Sequence, residues 1–163
     1  MADLQQMHIL KQGHKAWNRW RERHLDARPD LVSANLYRAS VNGANLSGAD
    51  MTASNLKDSS LRGVDLSQAV LLYAVLISSD LRSANFTGAN LIRADLSWSD
   101  MKGAVLFNAD MRGSDLGKAD LSDADLRGAR GLTFRQLSRA TLNANTRLPE
   151  YLFKGWSICR TDG

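Results

Sequence analysis

The sequence predicts an all-β solenoid, a four-sided β-helix of about five coils with a helical cap at each end. Three observations predict it. A large apolar residue recurs at every fifth position through twenty uninterrupted repeats. The residue two places before it is small, and the residue directly before it is a short polar one. Capping boxes at Asp3 with Gln6 and at Thr133 with Gln136 place helices in the segments flanking the repeat.

The apolar series is Leu31, Leu36, Val41, Leu46, Met51, Leu56, Leu61, Leu66, Leu71, Leu76, Leu81, Phe86, Leu91, Leu96, Met101, Leu106, Met111, Leu116, Leu121 and Leu126. A period of five suits neither regular element. Five residues advance an α-helix by roughly 500°, so the stripe would drift by about 140° per repeat. On a flat strand an odd period sends successive leucines to opposite faces. Both would leave half of the leucines in water. A chain that turns a corner every fifth residue points all of them inward, and four such sides close a square coil. Coils stacked about 4.8 Å apart make twenty pentads into a rod about 24 Å long.

The other positions suit that geometry. Alanine or serine stands two places before the centre in all pentads except those with Pro29 and Val64, small enough to share a narrow interior with the leucine. Asp, Asn or Ser directly before the centre can bond nearby backbone where the chain bends, and it stands in seventeen of the twenty pentads. Glycine two places after the centre, as at Gly63 and Gly103, tolerates corner conformations.

The run from Ser33 to Ala129, with Ala44-Asn45-Leu46, Ala89-Asn90-Leu91, Ala94-Asp95-Leu96 and Ala119-Asp120-Leu121, resembles the pentapeptide-repeat family. The resemblance implies a right-handed quadrilateral β-helix. It says little about role. Some members resemble DNA in width and acidity and protect or inhibit DNA gyrase, which makes a DNA-mimicking topoisomerase regulator an alternative here. Residues 30–129 carry a net charge of only −3, with columns of basic residues, and lack projecting loops.

The sequence divides into an N-terminal capping helix (1–28), the repeat (29–130), a C-terminal cap (131–152) and a tail (153–163), together one domain. A stacked rod exposes apolar interior and unpaired edges at both ends, which must be covered. Residues 3–25 read as a helix, with Asp3 as N-cap and Gln6 completing a capping box. Leu4, Met7, Leu10, Trp17 and Trp20 fall near one face. Lys11, Lys15, Arg19, Arg21 and Arg23 decorate the rest. Gly13 is expected to weaken or split this helix, and Pro29 to end it. A membrane-surface anchor or effector module is the alternative reading of so basic a helix. After the repeat, Gly131 breaks the register by one, and Thr133 with Gln136 forms a second capping box. The helix Phe134 to Ala140 should lay Phe134 and Leu137 over the last coil, with an irregular wrap from Leu142 to Leu152. Trp156 and Ile158 suggest a tail that docks on the rod or on a second copy, against a frayed terminus.

Composition excludes several classes. The longest apolar run, Ala69 to Ile77, has nine residues, short of the roughly 20 that span a bilayer. The N-terminus lacks a signal-peptide pattern, and Cys159 is the single cysteine, so a reducing, cytoplasmic setting is expected. His8, His14 and His24 lack the i, i+4 spacing of helix-borne metal ligands. No nucleophile motif, phosphate loop or acid–base pair stands out. We expect no enzyme, no metal and no cofactor. The net charge of +4 sits at the two ends, +3 in residues 1–29 and +4 in 130–163, so direct nucleic-acid binding is not expected either.

Residues twenty apart share a side, which exposes departures from the polar exterior. Three pentads carry valine directly before the centre: Val70, Val75 and Val105. Around the first two gather Leu72, Tyr73 and Ile77, with Ile92, Trp98 and Tyr37 on the same two sides. Val105 and Phe107 make a smaller patch elsewhere. Such a surface marks a partner, a second copy or a covering segment. A further side stacks Arg62, Arg82 and Lys102 beside Asp80, Asp100 and Asp120, a charge-balanced solvated face. The leading expectation is a non-catalytic interaction scaffold with an unidentified protein partner, and membrane contact is not expected.

Overall fold

The computed structural model describes residues 1–154. Its centre is a ladder of parallel β-bridges joining each residue directly before a pentad centre to its counterpart twenty residues later, from Asp30 with Asp50 to Asp110 with Arg130. Four pentads therefore make one circuit. Each side contributes one bridge residue, and among the described residues no side is long enough to form a regular strand. The expected all-β solenoid is in this respect a solenoid of corners. A chain that bends every fifth residue has no room for more than one bridge between bends.

Backbone accounting explains the repeat. Of the five amides in a pentad, the centre and the second residue after it donate to the next coil, as Leu31 does to Asp50 and Ser33 to Thr52, both at 2.8 Å. The residue before the centre donates to the preceding coil, as Asn55 does to Ala34 at 2.9 Å. The next pentad's small residue closes the turn, as Ala34 does to Leu31 at 3.0 Å. The fifth amide, directly after the centre, is left over. All fifteen Asp and Asn residues before a centre accept it through Oδ1, at 2.8–3.3 Å. The short polar residue of the motif is thus the acceptor that completes the turn.

Each corner has φ > 0 at the second residue after the centre, which a type II turn requires. Seven of these twenty corners are glycine and thirteen are not, among them Ala53 at 55° and Tyr73 at 58°. Left-handed backbone costs a residue with a Cβ roughly 1–2 kcal/mol, so the ladder outweighs that cost thirteen times over.

The centres fill the interior. Leu31, Leu36, Leu46, Leu56, Leu61, Leu66, Leu71, Leu76, Leu81, Phe86, Leu91, Leu96, Leu106, Leu116, Leu121 and Leu126 are all buried, with the small residues between them. Where serine replaces alanine, its hydroxyl bonds a carbonyl three residues back, as Ser99 does to Leu96 at 2.6 Å. Ser54 is buried with no such partner.

The N-terminal segment forms two helices, α1 (Leu4–Lys11) and α2 (His14–Arg23), where one was expected. Gly13 at φ 101° makes the break. The break turns α2 back across the first coil and changes which residues are inside. Met7, Leu10 and Trp17 are buried, whereas Leu4 is exposed and Arg21, expected on the polar face, is buried. Asp3 caps Gln6 N at 2.9 Å, but the Gln6 side chain does not return the bond. It accepts from Asp30 N at 2.8 Å, an amide that no earlier coil can take. Asn18 serves the same edge, accepting from Asn45 N at 2.8 Å and donating to Gly43 O at 2.9 Å. Arg21 donates to the carbonyls of Ala27 at 2.6 Å and Ser47 at 3.1 Å. Burial pulls its pKa below the usual arginine range, opposed by the charge of Asp65.

Beyond Gly131 the ladder continues out of step, with Asp120 bridged to Thr141 and Asp125 to Arg147. Helix α3 (Phe134–Leu137) has the expected capping box of Thr133 and Gln136. Leu132 and Leu137 are buried, but Phe134 is exposed, because a helix of one turn presents only one face to the rod. Gln136 instead meets the ladder, donating to Ser114 O at 2.9 Å. Helix α4 (Tyr151–Lys154) follows within the expected wrap. Tyr151 Oη accepts from Leu132 N at 2.9 Å and donates to Leu132 O at 3.2 Å. Burial pushes its hydroxyl pKa up. The expected docking of Trp156 and Ile158, and Cys159, lie outside the described residues.

Candidate interaction surface

The side centred on Leu71 and the side that follows it, centred on Leu76, carry the apolar patch. On one coil the chain presents Val70, Leu72, Tyr73, Val75 and Ile77 in sequence; Tyr73 is 49% exposed and the others are half-buried. Ile92, half-buried, extends the patch one coil onward, and Trp98 is the most open of the set at 59%. Tyr37 stands two coils earlier, 45% exposed. It borders a groove of about 330 Å³ between α1 and the first coil, also lined by Leu10 and Lys11. The eight residues therefore form a central band with two aromatic outliers.

Each of the three exposed aromatics of this set carries a cation over its ring. Arg38 lies 5.1 Å from the Tyr37 centroid, Arg93 5.8 Å from Tyr73 and Lys118 3.8 Å from Trp98. These contacts are favourable by about 0.5–1 kcal/mol at an exposed site. Arg93 Nη1 also donates to Tyr73 Oη at 3.4 Å. The cations were missed in the sequence, although two of them stand twenty residues after their aromatic and the same step would have found them. Beyond Trp98 an open groove of about 400 Å³ is lined by Ser97, Asp115, Gly117, Lys118 and Arg139.

Valine before the centre has a second effect that the sequence did not reveal. It supplies no oxygen, so the amides of Leu72, Ile77 and Phe107 lack the acceptor that Asp or Asn provides elsewhere. Two of these three donors lie within the main apolar band.

The charged side is an ion-pair column. Arg82 bonds Asp80 through two nitrogens, Nε to Oδ1 at 2.8 Å, and lies 3.9 Å from Asp100. Lys102 lies 3.7 Å from Asp100 and 3.1 Å from Asp120. The hydrogen bond from Arg82 holds the Asp80 carboxyl below the usual carboxylate range, and Asp80 raises Arg82 in turn. Burial opposes the charge on Asp120, yet hydrogen bonds from Ser122 and Lys102 hold its pKa down. The Lys102 ammonium is raised, chiefly by its hydrogen bond to Asp120. These charges are spent on one another.

His8, His14 and His24 are exposed, and His24 stacks on Trp20 at 4.8 Å. Among the described residues no three of His, Cys, Asp and Glu are grouped to hold a metal ion, and no helix is long and apolar enough to cross a membrane. Trp17, one of the two tryptophans of the basic helix for which a membrane anchor was the alternative reading, is buried against the first coil.

The family model described as pentapeptide repeats matches residues 30–68, 69–106 and 99–143, with eight copies. No curated protein matches the chain. Among solved structures, the pentapeptide repeat protein Rfr23 from the cyanobacterium Cyanothece 51142 is 28% identical, over 63% of this chain and 65% of its own, with a TM-score of 0.31. HetL from Nostoc sp. strain PCC 7120, a pentapeptide repeat protein involved in heterocyst differentiation regulation, is 28% identical over 74% of this chain and 64% of its own, with a TM-score of 0.38. QnrB1, a plasmid-mediated fluoroquinolone resistance protein, is 16% identical over 82% of this chain and 73% of its own, with a TM-score of 0.51, a likeness of fold alone. The chain spans just under two thirds of the length of Rfr23 and HetL. Matched by the repeat model over more than half its length, and built on a twenty-residue parallel ladder, the chain belongs to the pentapeptide-repeat family of right-handed quadrilateral β-helices.

Proposed function

We propose that this protein is a non-catalytic interaction scaffold that engages a protein partner, or a second copy of itself, through the band formed by Val70, Leu72, Tyr73, Val75, Ile77 and Ile92. One observation carries the reading. Valine replaces the turn-completing Asp or Asn in two consecutive pentads, and the surface there turns apolar and aromatic on a largely polar exterior. A half-buried valine forgoes the turn bond that Asp or Asn supplies; the rest of its surface, buried under a partner, gains roughly 25 cal/mol per Å².

The rod itself supports this use. Among the described residues its interior is filled by stacked side chains, while its sides offer rigid, regularly spaced positions. In this reading α1, α2, α3 and the residues after α3 act as caps. They occupy the ladder edges of five coils, block end-to-end stacking and direct association to the sides. A DNA-mimicking regulator of gyrase is disfavoured by the Asp80–Arg82–Asp100–Lys102–Asp120 column, whose cations interrupt any run of negative charge.

Replacing Tyr73→Glu and Ile77→Glu together tests the proposal. Sedimentation and partner recovery should both fall while the fold is retained. Unchanged size, solubility and recovery would overturn it. Inhibition or protection in a gyrase supercoiling assay, unaffected by the double variant, would favour the topoisomerase reading.

A further inference from the structure

We propose that this surface receives an acidic segment of a partner protein, whose carboxylate oxygens take the places of the two side-chain oxygens that Val70 and Val75 lack. The inference rests on the scaffold reading above and names the chemistry of its partner.

The backbone accounting sets the requirement. Every Asp or Asn before a centre gives its oxygen to the amide two residues on, so the exterior carries a lattice of satisfied turn amides. On the same two sides the lattice is complete in both neighbouring coils. Val70 bridges Asp50 and Asn90, which cap Thr52 and Ile92 at 3.1 Å each. Val75 bridges Asn55 and Asp95, which cap Lys57 at 3.1 Å and Ser97 at 3.0 Å. Two adjacent corners between them, at Leu72 and Ile77, have donors and no oxygen of their own. An oxygen supplied from outside completes both.

The charges nearby say which oxygen. Among the described residues, Arg93 and Lys118 have no carboxylate within the 4.0 Å ion-pair limit, although Arg82 and Lys102 on the next side have two each. The acids closest along the chain are already used. Asp95 accepts from both N and Oγ of Ser97, Asp110 binds Arg112, and Asp115 accepts from Gly117 N and lies 3.6 Å from Arg139. A carboxylate suits a face that offers backbone N–H groups, and a guanidinium one coil on, better than a neutral carbonyl does, since charge-assisted bonds are roughly twice as strong. Apolar side chains interleaved with those carboxylates would cover Val70, Val75 and Ile92. A second copy fits less well, because apposing this face on itself brings like charges together.

The probe is a labelled octapeptide alternating Glu and Leu, with its Gln–Leu counterpart and a single-stranded oligothymidylate of equal charge as controls. Anisotropy reads affinity, and ¹⁵N shifts read the Leu72 and Ile77 amides. The Glu–Leu peptide should move both amides and bind at least about tenfold more tightly than Gln–Leu, the discrimination expected of hydrogen bonds to a charged group. Val70→Asp with Val75→Asp returns the oxygens within the chain. That variant should fold at least as stably and lose about the same tenfold, as should Arg93→Gln with Lys118→Gln. Equal binding of the two peptides overturns the acidic partner but leaves the apolar surface intact. Tighter binding of the oligonucleotide overturns it in favour of a phosphate chain. Binding by neither peptide, or full binding to the double-Asp variant, also overturns it, whereas the scaffold reading falls only with the Tyr73→Glu, Ile77→Glu experiment.

Discussion

The Trp17 indole N–H donates to the carbonyl of Asn45 at 2.6 Å, and the whole ring is buried between α2 and the first coil. One side chain thus covers apolar interior and satisfies a ladder carbonyl that no earlier coil can reach.

Trp17→Phe keeps most of the apolar volume and leaves Asn45 O without its donor. Chemical denaturation should show a loss of about 1–3 kcal/mol, the cost of one buried unsatisfied group. Trp17→Ala removes the volume as well and should cost about 3–5 kcal/mol. No measurable loss for Trp17→Phe would mean that the hydrogen bond contributes nothing.

Leu81 is fully buried within the stack of a rigid coil. Leu81→Ala leaves a void the ladder cannot close, and the expected loss is roughly 2–5 kcal/mol. A denaturant melt showing under about 1 kcal/mol, well below that range, would contradict a close-packed interior.

The corners offer a paired test of backbone strain. Ala53 holds φ at 55°, and Gly63 holds 62° with nothing within 4 Å of where a Cβ would stand. Ala53→Gly should stabilise by roughly 0.5–1 kcal/mol, the relief of left-handed strain less the entropy glycine gains when unfolded. Gly63→Ala should lose a similar amount. Opposite signs in thermal melts are the expected result; two losses would remove strain as the explanation.

Acid should weaken the fold through its paired carboxylates. Hydrogen bonds hold Asp80 (from Arg82), Asp123 (from Asn145 and Asn143) and Asp125 (from Arg127) below the ordinary carboxylate range. A group depressed in the folded state contributes its stabilisation fully above its unfolded pKa and loses it as the pH falls through the folded value. The melting temperature should therefore be insensitive to these groups above about pH 5 and fall below about pH 4. The Asp80→Asn, Arg82→Gln double variant should show a shallower fall. An identical acid limb in both proteins would rule the pair out.

The repeat was legible because each of its positions obeys one local rule. Leu36 is apolar because it faces inward, Ala34 small because it shares that interior, and Asn35 polar because it completes a turn two residues away. Those rules hold within five residues and need no knowledge of the rest of the chain. The ends were less legible. Leu4 has the spacing of a core residue and is exposed, and Arg21 has the character of a surface residue and is buried. Gly13 reorients α2, and the open carbonyls of Ala27 and Ser47 draw the guanidinium in.

The amino-acid order alone determined the turning coil and its inward columns, because neither a straight helix nor a flat strand buries a side chain at every fifth position. Tertiary structure decided the encounters that depend on how far the chain travels before it returns. The meeting of Asn18 with Asn45, the bond from Trp17 to Asn45, and the burial of Arg21 on Ala27 and Ser47 are set by helix direction and by where the chain returns, which no window of sequence contains.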